Sequence, residues 1–291
     1  MHKAGFVNII GNPNAGKSTL MNALVGERIS IITSKAQTTR HRIMGIVNGE
    51  DFQIVYSDTP GIVVPRYKLH EGMMRFVGTA LADADILLLV IDLTDPAPIE
   101  TVTYEKIRNS PVPVIVLLNK IDVVKERVGL EQAAKWKEAF PKAEIIPVSA
   151  LKGRNLEVVL EKILALLPTH PAYFDKEELT DKPERFFVAE IIREKILTNY
   201  EQEIPYSCEV LVEDFNESEK LVRIRANIYV MRESQKGIIL GHQGRAIKKV
   251  GTEARLDIEK FLQKKVFLEL FVKVDKDWRD SERELKRFGY I

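Results

Sequence analysis

The loop formed by residues 11–18 constrains the fold of this chain more than any other feature. It reads G-N-P-N-A-G-K-S and matches the phosphate-loop pattern G-x-x-x-x-G-K-S. Residues 6–10 before it have the composition of a buried strand, and residues 17–25 after it have the apolar spacing of a helix. Backbone N–H groups of such a loop, and of the helix that follows, can surround a phosphate. The sequence therefore predicts a phosphate-binding site between a strand and a helix.

Strands and helices alternate through the rest of the first half. Apolar runs typical of buried parallel strands occupy residues 85–91, 112–118 and 145–148, and helical spacing occupies residues 130–140 and 156–167. Asn48-Gly49 lies between two strand-like segments and is a hairpin turn signal. Strands that alternate with helices form parallel sheets. We therefore expect an α/β phosphate-loop domain over residues 1–170, with a mostly parallel sheet flanked by helices.

The second half has a different order of elements. Pro168 and Pro171 interrupt the alternation, and the polar stretch that follows predicts a linker over residues 171–185. Residues 186–291 read as helix, strand, strand, helix, helix, strand, and a last helix over residues 277–288. In this interpretation, residues 214–217 separate the strands at 208–212 and 221–230. We expect a smaller α+β domain here.

Composition excludes several classes of protein. The 291 residues are 45% hydrophobic and 29% charged, with a net charge of +1, which excludes a disordered chain, a collagen-like repeat and a disulfide scaffold. Cys208 is the only cysteine, and the longest strongly apolar run, residues 86–91, is far shorter than the roughly 18 residues that span a bilayer. The first residues show no signal-peptide pattern. We expect a cytoplasmic, monomeric protein.

The phosphate loop supplies groups for both a nucleotide and a metal ion. Lys17 can reach the β- and γ-phosphates, and Ser18 can place its hydroxyl on Mg²⁺. We expect nucleotide contacts from the whole loop and the residue after it: Gly11, Asn12, Pro13, Asn14, Ala15, Gly16, Lys17, Ser18 and Thr19.

A second motif, Asn119-Lys120-Ile121-Asp122, predicts which base is bound. A carboxylate at Asp122 can accept hydrogen bonds from N1–H and the exocyclic amine of guanine, whereas adenine offers no such pair of donors. Asn119 can tie this segment to the phosphate loop, and Lys120 can lie along the base. The turn Ser149-Ala150-Leu151 follows a strand and suits a backbone donor to the guanine carbonyl. The sequence therefore predicts GTP and GDP as ligands.

Two further segments can sense the γ-phosphate. Asp58-Thr59-Pro60-Gly61 follows a predicted strand, so that Asp58 can hold Mg²⁺ through a water and the Gly61 N–H can meet the γ-phosphate. The polar segment Q-T-T-R-H at residues 37–41 offers a second hydroxyl to Mg²⁺ from Thr38 or Thr39, and we favour Thr39. Hydrolysis of the γ-phosphate should release both segments, as in a molecular switch.

These five motifs resemble those of the Era family of GTPases, above all in G-N-P-N-A-G-K-S and Q-T-T-R-H. The resemblance implies hydrolysis of GTP to GDP and phosphate. Ile62 stands where Ras-like proteins carry a glutamine and where this family and its relatives are hydrophobic, so no motif side chain stands out as positioning the attacking water. The resemblance also implies that Asn14 binds a K⁺ that offsets charge in the transition state. The predicted catalytic residues are Asn14, Lys17, Thr39 and Gly61.

The second domain carries a glycine tetrad, Gly241-His242-Gln243-Gly244, between two predicted helices. Its element order is that of a type II KH domain, in which such a loop clamps the backbone of about four unpaired nucleotides. We expect apolar Ile238, Leu240 and Ile247 to form the groove floor together with Ile239. The predicted RNA-binding residues are Arg232, Lys236, Gly237, Ile239, Gly241, His242, Gln243, Gly244, Arg245, Lys248 and Lys249.

The resemblance extends through V-M-R-E-S-Q-K-G-I-I at residues 230–239 and the tail at residues 277–290, and so covers the whole chain. It implies binding to 16S ribosomal RNA near its 3′ end, a role in assembly and maturation of the 30S ribosomal subunit, and peripheral contact with the inner face of the cell membrane. One alternative is a membrane-surface signalling GTPase whose C-terminal domain binds protein. Another is a phosphate-loop kinase, against which Asn119 and Asp122 argue.

Overall fold

The computed structural model describes residues 1–95 and 97–291. The chain divides into two compact units. One contains Met1–Arg66 and His70–Asp181, and the other contains Tyr67–Leu69 and Lys182–Ile291. The division after Asp181 falls inside the segment that the sequence predicts as a linker.

The first unit is an α/β domain around a six-stranded sheet of order β2-β3-β1-β4-β5-β6. The pair β2 and β3 is antiparallel and joined by the predicted Asn48-Gly49 turn, and the other four pairs are parallel, which confirms the fold class. Its elements are β1 (Lys3–Gly11), α1 (Lys17–Val25), β2 (Ile43–Asn48), β3 (Phe52–Asp58), α2 (Lys68–Ala82), β4 (Ile86–Asp92), α3 (Thr101–Arg108), β5 (Val114–Asn119), α4 (Glu126–Ala139), β6 (Glu144–Pro147) and α5 (Leu156–Leu166).

The sheet places the polar motifs together because β1, β3, β4 and β5 run parallel. Their last residues are Gly11, Asp58, Asp92 and Asn119, which all lie at one edge of the sheet. Ligands of open α/β sheets bind at this carboxyl edge. Apolar side chains fill both faces of the central strands, and β4 is buried along its whole length. The predicted site therefore stands on a rigid, buried support.

The second unit is an α+β domain with a three-stranded sheet of order β7-β8-β9, in which β7-β8 is antiparallel and β8-β9 is parallel. Helices α6, α8 and α9 cover one face. The elements are α6 (Glu184–Asn199), α7 (Ile204–Ser207), β7 (Glu209–Glu217), β8 (Leu221–Val230), α8 (Glu233–Leu240), α9 (Arg245–Leu262), β9 (Lys265–Val274) and α10 (Glu282–Arg287).

Two predicted boundaries in this unit are wrong. Residues 214–217 are not a loop but the end of β7, paired with β8 from Asp214↔Arg225 to Glu217↔Val222 after a bulge at residues 212–214. The predicted last helix is two pieces, a 3₁₀ turn at Trp278–Asp280 and then α10. The Ser281 hydroxyl accepts a hydrogen bond from Glu284 N at 3.4 Å and so begins the second piece.

The C-terminal segment is anchored to the sheet by buried polar contacts. Trp278 is fully buried, and its Nε1 donates to Ser207 O at 3.2 Å. The Tyr290 hydroxyl donates to Glu209 Oε2 at 2.6 Å. Cys208 is buried, as expected for an inert core cysteine.

Within residues 1–95 and 97–291, no helix combines the length and the apolar character needed to cross a bilayer.

Candidate nucleotide site and nucleic-acid groove

The phosphate loop follows β1, and its shape depends on the backbone of Gly16 and on a hydrogen bond from Lys17. Gly16 has a φ of +93°, and a Cβ there would lie 2.3 Å from Asn119 Nδ2, so only glycine fits this position. Lys17 Nζ donates to Asn12 O at 2.8 Å, which aligns the side chain along the loop. Burial lowers the pKa of Lys17 to about 8, against the opposing charge of Asp58. An anionic phosphate would favour the charged form of this lysine and so raise its pKa again.

Three oxygen-bearing side chains meet at the predicted Mg²⁺ position. Ser18 Oγ lies 2.7 Å from Thr39 Oγ1, and Thr39 Oγ1 donates to Asp58 Oδ2 at 3.3 Å. Burial raises the pKa of Asp58, although Ser18, Lys17 and Thr39 partly oppose that shift. Asp58 Oδ1 is buried and accepts no hydrogen bond from the described residues. Hydroxyl and carboxylate oxygens that are buried with unused acceptor capacity fit a bound Mg²⁺.

The geometry separates the two threonines that the sequence left open. Thr38 Oγ1 donates to Lys35 O at 2.6 Å and contacts Thr33 Oγ1 at 2.6 Å, so it holds its own loop together. Thr39 Oγ1, by contrast, approaches both Ser18 and Asp58. Thr39 is therefore the threonine positioned to reach a metal ion.

A cleft of 510 Å³ is lined by nine of the predicted nucleotide and metal residues. They are Pro13, Asn14, Gly16, Lys17, Ser18, Thr19, Thr39, Gly61 and Lys120. Asn14 is exposed at its rim with a φ of +62°. Ile31, Ile32 and Lys35 line the opposite wall and were not singled out from the sequence. These residues lie in a segment without a recognisable motif, so their place in the cleft could not be predicted from the sequence.

The segment that contains Gly61 is packed into the protein through buried residues on both sides of it. These are Thr59, Pro60 and Ile62. The Thr59 hydroxyl donates to Ile9 O at 2.7 Å, and the side chains of Thr59 and Pro60 are buried. The Thr59 side chain therefore attaches the D-T-P-G segment to β1, and contact of Thr59 and Pro60 with nucleotide stays a prediction. The Ile62 side chain packs in the core, which agrees with the absence of a water-positioning group at that residue.

The base-binding motif lies beside the phosphate loop. Asn119 Nδ2 donates to Ala15 O at 2.8 Å, as the tie between the two motifs requires. The Lys120 ammonium pairs with the Asp92 carboxylate. A hydrogen bond from the Ser149 side chain lowers the pKa of Asp122, so this carboxylate is ionised and able to accept the two guanine donors.

The first two backbone N–H groups of the turn at residues 149–151 form hydrogen bonds within the protein. The Ser149 N–H donates to Arg154 O at 3.2 Å, and the Ala150 N–H donates to Asn119 Oδ1 at 3.0 Å. Both amides are engaged within the protein, and a backbone donor from this turn to the guanine carbonyl stays a prediction. Guanine would have to share the Ala150 N–H with Asn119, or receive the N–H of exposed Leu151.

In the second unit, the glycine tetrad forms the turn between α8 and α9. His242 and Gln243 are exposed at its tip, and the Tyr200 hydroxyl donates to Ile239 O at 2.6 Å beneath it. Gly237 is exposed on α8, and Lys236 is half-buried. The exposed basic side chains around the turn are Arg232, Arg245, Lys248 and Lys249. The predicted basic rim is therefore present on the surface.

The groove floor differs from the prediction. Ile239 is fully buried in the domain core, so its predicted contact with RNA is wrong. A groove of 280 Å³ instead runs between α9 and β9, the edge strand of the sheet. It is lined by Ile247, Lys248, Gly251, Thr252, Arg255, Leu268 and Leu270. The spacing of Ile247, Gly251 and Arg255 by four residues on a helix could have revealed this face.

Known proteins match the chain in both units. A sequence profile described as a 50S ribosome-binding GTPase matches residues 6–120, and one described as a KH domain matches residues 203–279. GTPase Era of Geotalea uraniireducens is 46% identical over 290 residues, covering 99% of this chain and 98% of the relative. GTPase Era of Syntrophus aciditrophicus is 45% identical over 293 residues, covering 100% of this chain and 96% of the relative.

The chain belongs to the Era family. A crystal structure of Era with MgGDPNP and nucleotides 1506–1542 of 16S ribosomal RNA is 38% identical, with a TM-score of 0.94 over 100% of this chain and 99% of that one. A point variant of Aquifex aeolicus Era bound to GDP·AlF₄⁻ gives the same TM-score and identity over 99% of each chain. Like other Era proteins, this chain is a GTPase with an N-terminal nucleotide domain and a C-terminal KH domain.

Proposed function

We propose that this protein is a GTP-hydrolysing switch that binds 16S ribosomal RNA near its 3′ end and acts in assembly of the 30S ribosomal subunit. The observation that carries the proposal is the groove between the edge strand β9 and α9, the helix that begins directly after the glycine tetrad. The Era relative that matches over the full chain was crystallised with 16S nucleotides 1506–1542.

The groove has the chemistry of a single-strand RNA site. Its floor is apolar, from Ile247, Leu268 and Leu270, and its rim carries Lys248 and Arg255. Apolar surfaces accept unpaired bases, whereas basic side chains attract the phosphates. The net charge of the whole chain is only +1. Binding therefore depends on this local basic surface rather than on a basic protein.

The GTPase reaction is assigned to the phosphate-loop cleft. Lys17 and the loop N–H groups stabilise the charge that develops on the phosphates during attack by water. Ser18, Thr39 and Asp58 would hold Mg²⁺, which supplies further positive charge when bound. Thr39 and Gly61 line the cleft. In this proposal they contact the γ-phosphate, so its loss would free the segments that carry them.

Asn14 completes this assignment as a K⁺ ligand. It lies at the rim of the cleft, exposed, with its backbone in the left-handed region. A carbonyl oxygen there suits a monovalent cation placed against the phosphates. This cation would take the place of a charged side chain, since the residue after D-T-P-G, Ile62, is buried and apolar.

The proposed location is the cytoplasm, with the protein acting as a monomer and making peripheral contact with the inner face of the cell membrane. The single buried cysteine agrees with a reducing compartment. Fractionation of cells at low and high salt tests the membrane contact, since peripheral electrostatic binding is lost at high salt.

Crosslinking in living cells, followed by sequencing of the attached RNA, tests the proposed function. We expect enrichment of 16S sequences near the 3′ end. A variant with His242→Asp and Gln243→Asp provides the control, because it places negative charge at the exposed tip of the clamp. Recovery of membrane proteins without ribosomal RNA would instead support the signalling alternative, in which the KH domain binds protein.

A further inference from the structure

Four polar side chains form a hydrogen-bonded network around Arg42, and three of them are buried. Arg42 Nη1 and Nη2 donate to the two carboxylate oxygens of Asp83 at 2.6 and 2.9 Å. Arg42 Nε donates to Ser57 Oγ at 2.6 Å, and Nη2 also reaches Asn8 Oδ1 at 3.3 Å. Asn8 Nδ2 closes the network by donating to Asp83 Oδ1 at 2.8 Å.

Burial at the sheet fixes three members of the network, whereas the side chain of Asp83 is 40% exposed. Asn8 and Ser57 are fully buried, and Arg42 is 7% exposed. Asn8 and Ser57 are also paired neighbours on the parallel strands β1 and β3. Arg42 therefore meets a rigid set of acceptors, and a planar guanidinium is the one side chain that can satisfy them all at once.

The members of the network adjoin the parts of the site that must move or hold metal. Arg42 directly follows the segment 37–41, which carries Thr39. Ser57 directly precedes Asp58 on β3. Asp83 directly follows α2, the helix after the D-T-P-G segment, and Asn8 Nδ2 also donates to Ala80 O in that helix at 2.6 Å.

We propose that Arg42 is a positioning residue for the Mg²⁺ end of the nucleotide site. It fixes the point at which the segment 37–41 joins the sheet, so that Thr39 returns to one place beside Ser18 when GTP binds. Only Arg40 and His41 separate Thr39 from Arg42, a reach of at most about 10 Å at roughly 3.5 Å per residue. Through Ser57 the same guanidinium also holds the backbone that carries Asp58. The proposal rests on the GTPase site and is independent of RNA binding.

The test measures how tightly Mg²⁺ retains a nucleotide rather than how fast the enzyme turns over. The release rate of a fluorescent GDPNP analogue is recorded across a range of Mg²⁺ concentrations for the full chain. We expect Arg42→Ala to raise the Mg²⁺ concentration for half-maximal retention about tenfold, the smaller end of the loss seen when supports of metal ligands are removed. Affinity for the nucleotide in excess EDTA should change by less than about twofold, since the phosphate loop and base motif are intact.

Two further variants test how the Mg²⁺ concentration for half-maximal retention depends on individual contacts of Arg42. Arg42→Lys should not restore the Mg²⁺ midpoint of the parent, because an ammonium cannot hydrogen-bond to Asp83, Ser57 and Asn8 at the same time. Ser57→Ala removes only one acceptor and keeps the pair with Asp83, so it should shift the midpoint in the same direction by less. Ser57→Ala is the smallest change and keeps the proposal testable even where Arg42→Ala does not fold.

Ile163→Ala serves as the matched control. Ile163 is fully buried in α5 and belongs to the apolar core of the same unit, without polar contacts to the network. It should lower the melting temperature and leave the Mg²⁺ midpoint unchanged. An unchanged midpoint in Ser57→Ala, or a shift in Ile163→Ala equal to that in Arg42→Ala, would overturn the proposal. A parent protein that retains no GDPNP at any Mg²⁺ concentration would instead contradict the GTPase assignment.

Discussion

Asn119 joins the base-binding motif to the phosphate loop, 104 residues apart in the sequence, by donating from Nδ2 to Ala15 O at 2.8 Å. Its Oδ1 accepts from Ala150 N at 3.0 Å. One buried side chain thus holds three separate segments of the nucleotide site in register. The phosphate end and the base end of the cleft are coupled through it.

Asn119→Ala should weaken GTP and GDP binding equally. The change leaves Ala15 O and Ala150 N, both buried, without their partner, at a cost of about 1–3 kcal/mol each. We expect a loss of at least about tenfold in affinity for both nucleotides, measured by isothermal titration calorimetry. Asn109→Ala, at the exposed end of α3, should bind as the parent does. Parent-like affinity in Asn119→Ala would contradict the coupling.

Asp122→Asn should change which base is accepted. The carboxylate accepts two hydrogen bonds from guanine, whereas an amide presents donors that suit the second carbonyl of xanthine. We expect GTP affinity to fall by about 100-fold or more and xanthosine triphosphate to bind in its place. Competition against a fluorescent nucleotide measures both affinities. A variant that still prefers GTP would show that Asp122 does not read the base.

Replacing K⁺ by Na⁺ tests the role of Asn14. At equal ionic strength, hydrolysis in NaCl should be slower than in KCl by about tenfold, while GTP affinity stays the same, because the ion acts on charge in the transition state. Asn14→Ala should hydrolyse GTP at one slow rate in both salts. Phosphate release gives the rates. Equal rates for the parent in the two salts would remove the K⁺ site.

Glu213→Gln should destabilise the KH domain at neutral pH. Burial raises the pKa of Glu213, but hydrogen bonds from Asn227 and Tyr229 and the charge of Arg287 outweigh it, so the pKa lies below its usual value. A lowered folded-state pKa stabilises the protein above the unfolded-state value, and that stability is lost as the pH falls through the folded-state pKa. We expect a loss of about 1 kcal/mol at pH 7, reduced from the usual value of a charged hydrogen bond by partial exposure.

Urea unfolding of the full chain measures this effect by the fluorescence of Trp278 in a Trp136→Phe background, since the chain has two tryptophans. As the pH is lowered from 7 into the acid range, the free energy of unfolding of the parent should fall more steeply than that of Glu213→Gln. Parallel pH profiles for the two proteins would show that the contact from Arg287 Nη2 to Glu213 Oε1, at 2.9 Å, contributes no charge-dependent stability.

The fold class and the nucleotide motifs could be predicted because each depends on local sequence. A strand, a glycine loop and a helix in succession place Lys17 and Ser18 without knowledge of any distant residue. Helix phase is harder to predict in an apolar run. One residue rotates the helix by about 100°, so Ile239 is fully buried while Ile238 is 49% exposed.

Features that depend on distant partners could not be read from the sequence. Asp214, Asn216 and Glu217 resemble a loop because they are polar, yet they pair with β8 after a bulge that shifts the alternation. The use of the Ala150 N–H by Asn119 depends on a contact between two strand ends. The network around Arg42 likewise requires the three-dimensional approach of β1, β3 and the end of α2.

The backbone of the glycine tetrad decides which variant tests RNA binding most cleanly. Gly241 has a φ of +68°, and a Cβ there would lie 2.6 Å from the Ala246 Cβ, so a substitution at Gly241 would distort the turn. His242 and Gln243 are exposed at the tip, and Gln243 already adopts a φ of +52°, which aspartate tolerates. The double variant His242→Asp/Gln243→Asp therefore adds charge with little change in fold.

Affinity of this double variant for a single-stranded RNA from the 3′ end of 16S ribosomal RNA tests the central claim most directly. Asn216→Asp/Ser218→Asp is the charge-matched control, since it lies on β7 and its turn, at the sheet edge opposite β9. We expect the tip variant to lose at least tenfold in affinity, about 1.4 kcal/mol, while the control and the basal GTPase rate stay at parent values. Parent affinity should fall with salt, with a log–log slope of roughly −0.7 per neutralised phosphate. A folded tip variant that binds this RNA as tightly as the parent would contradict the assignment of the glycine tetrad as the RNA clamp.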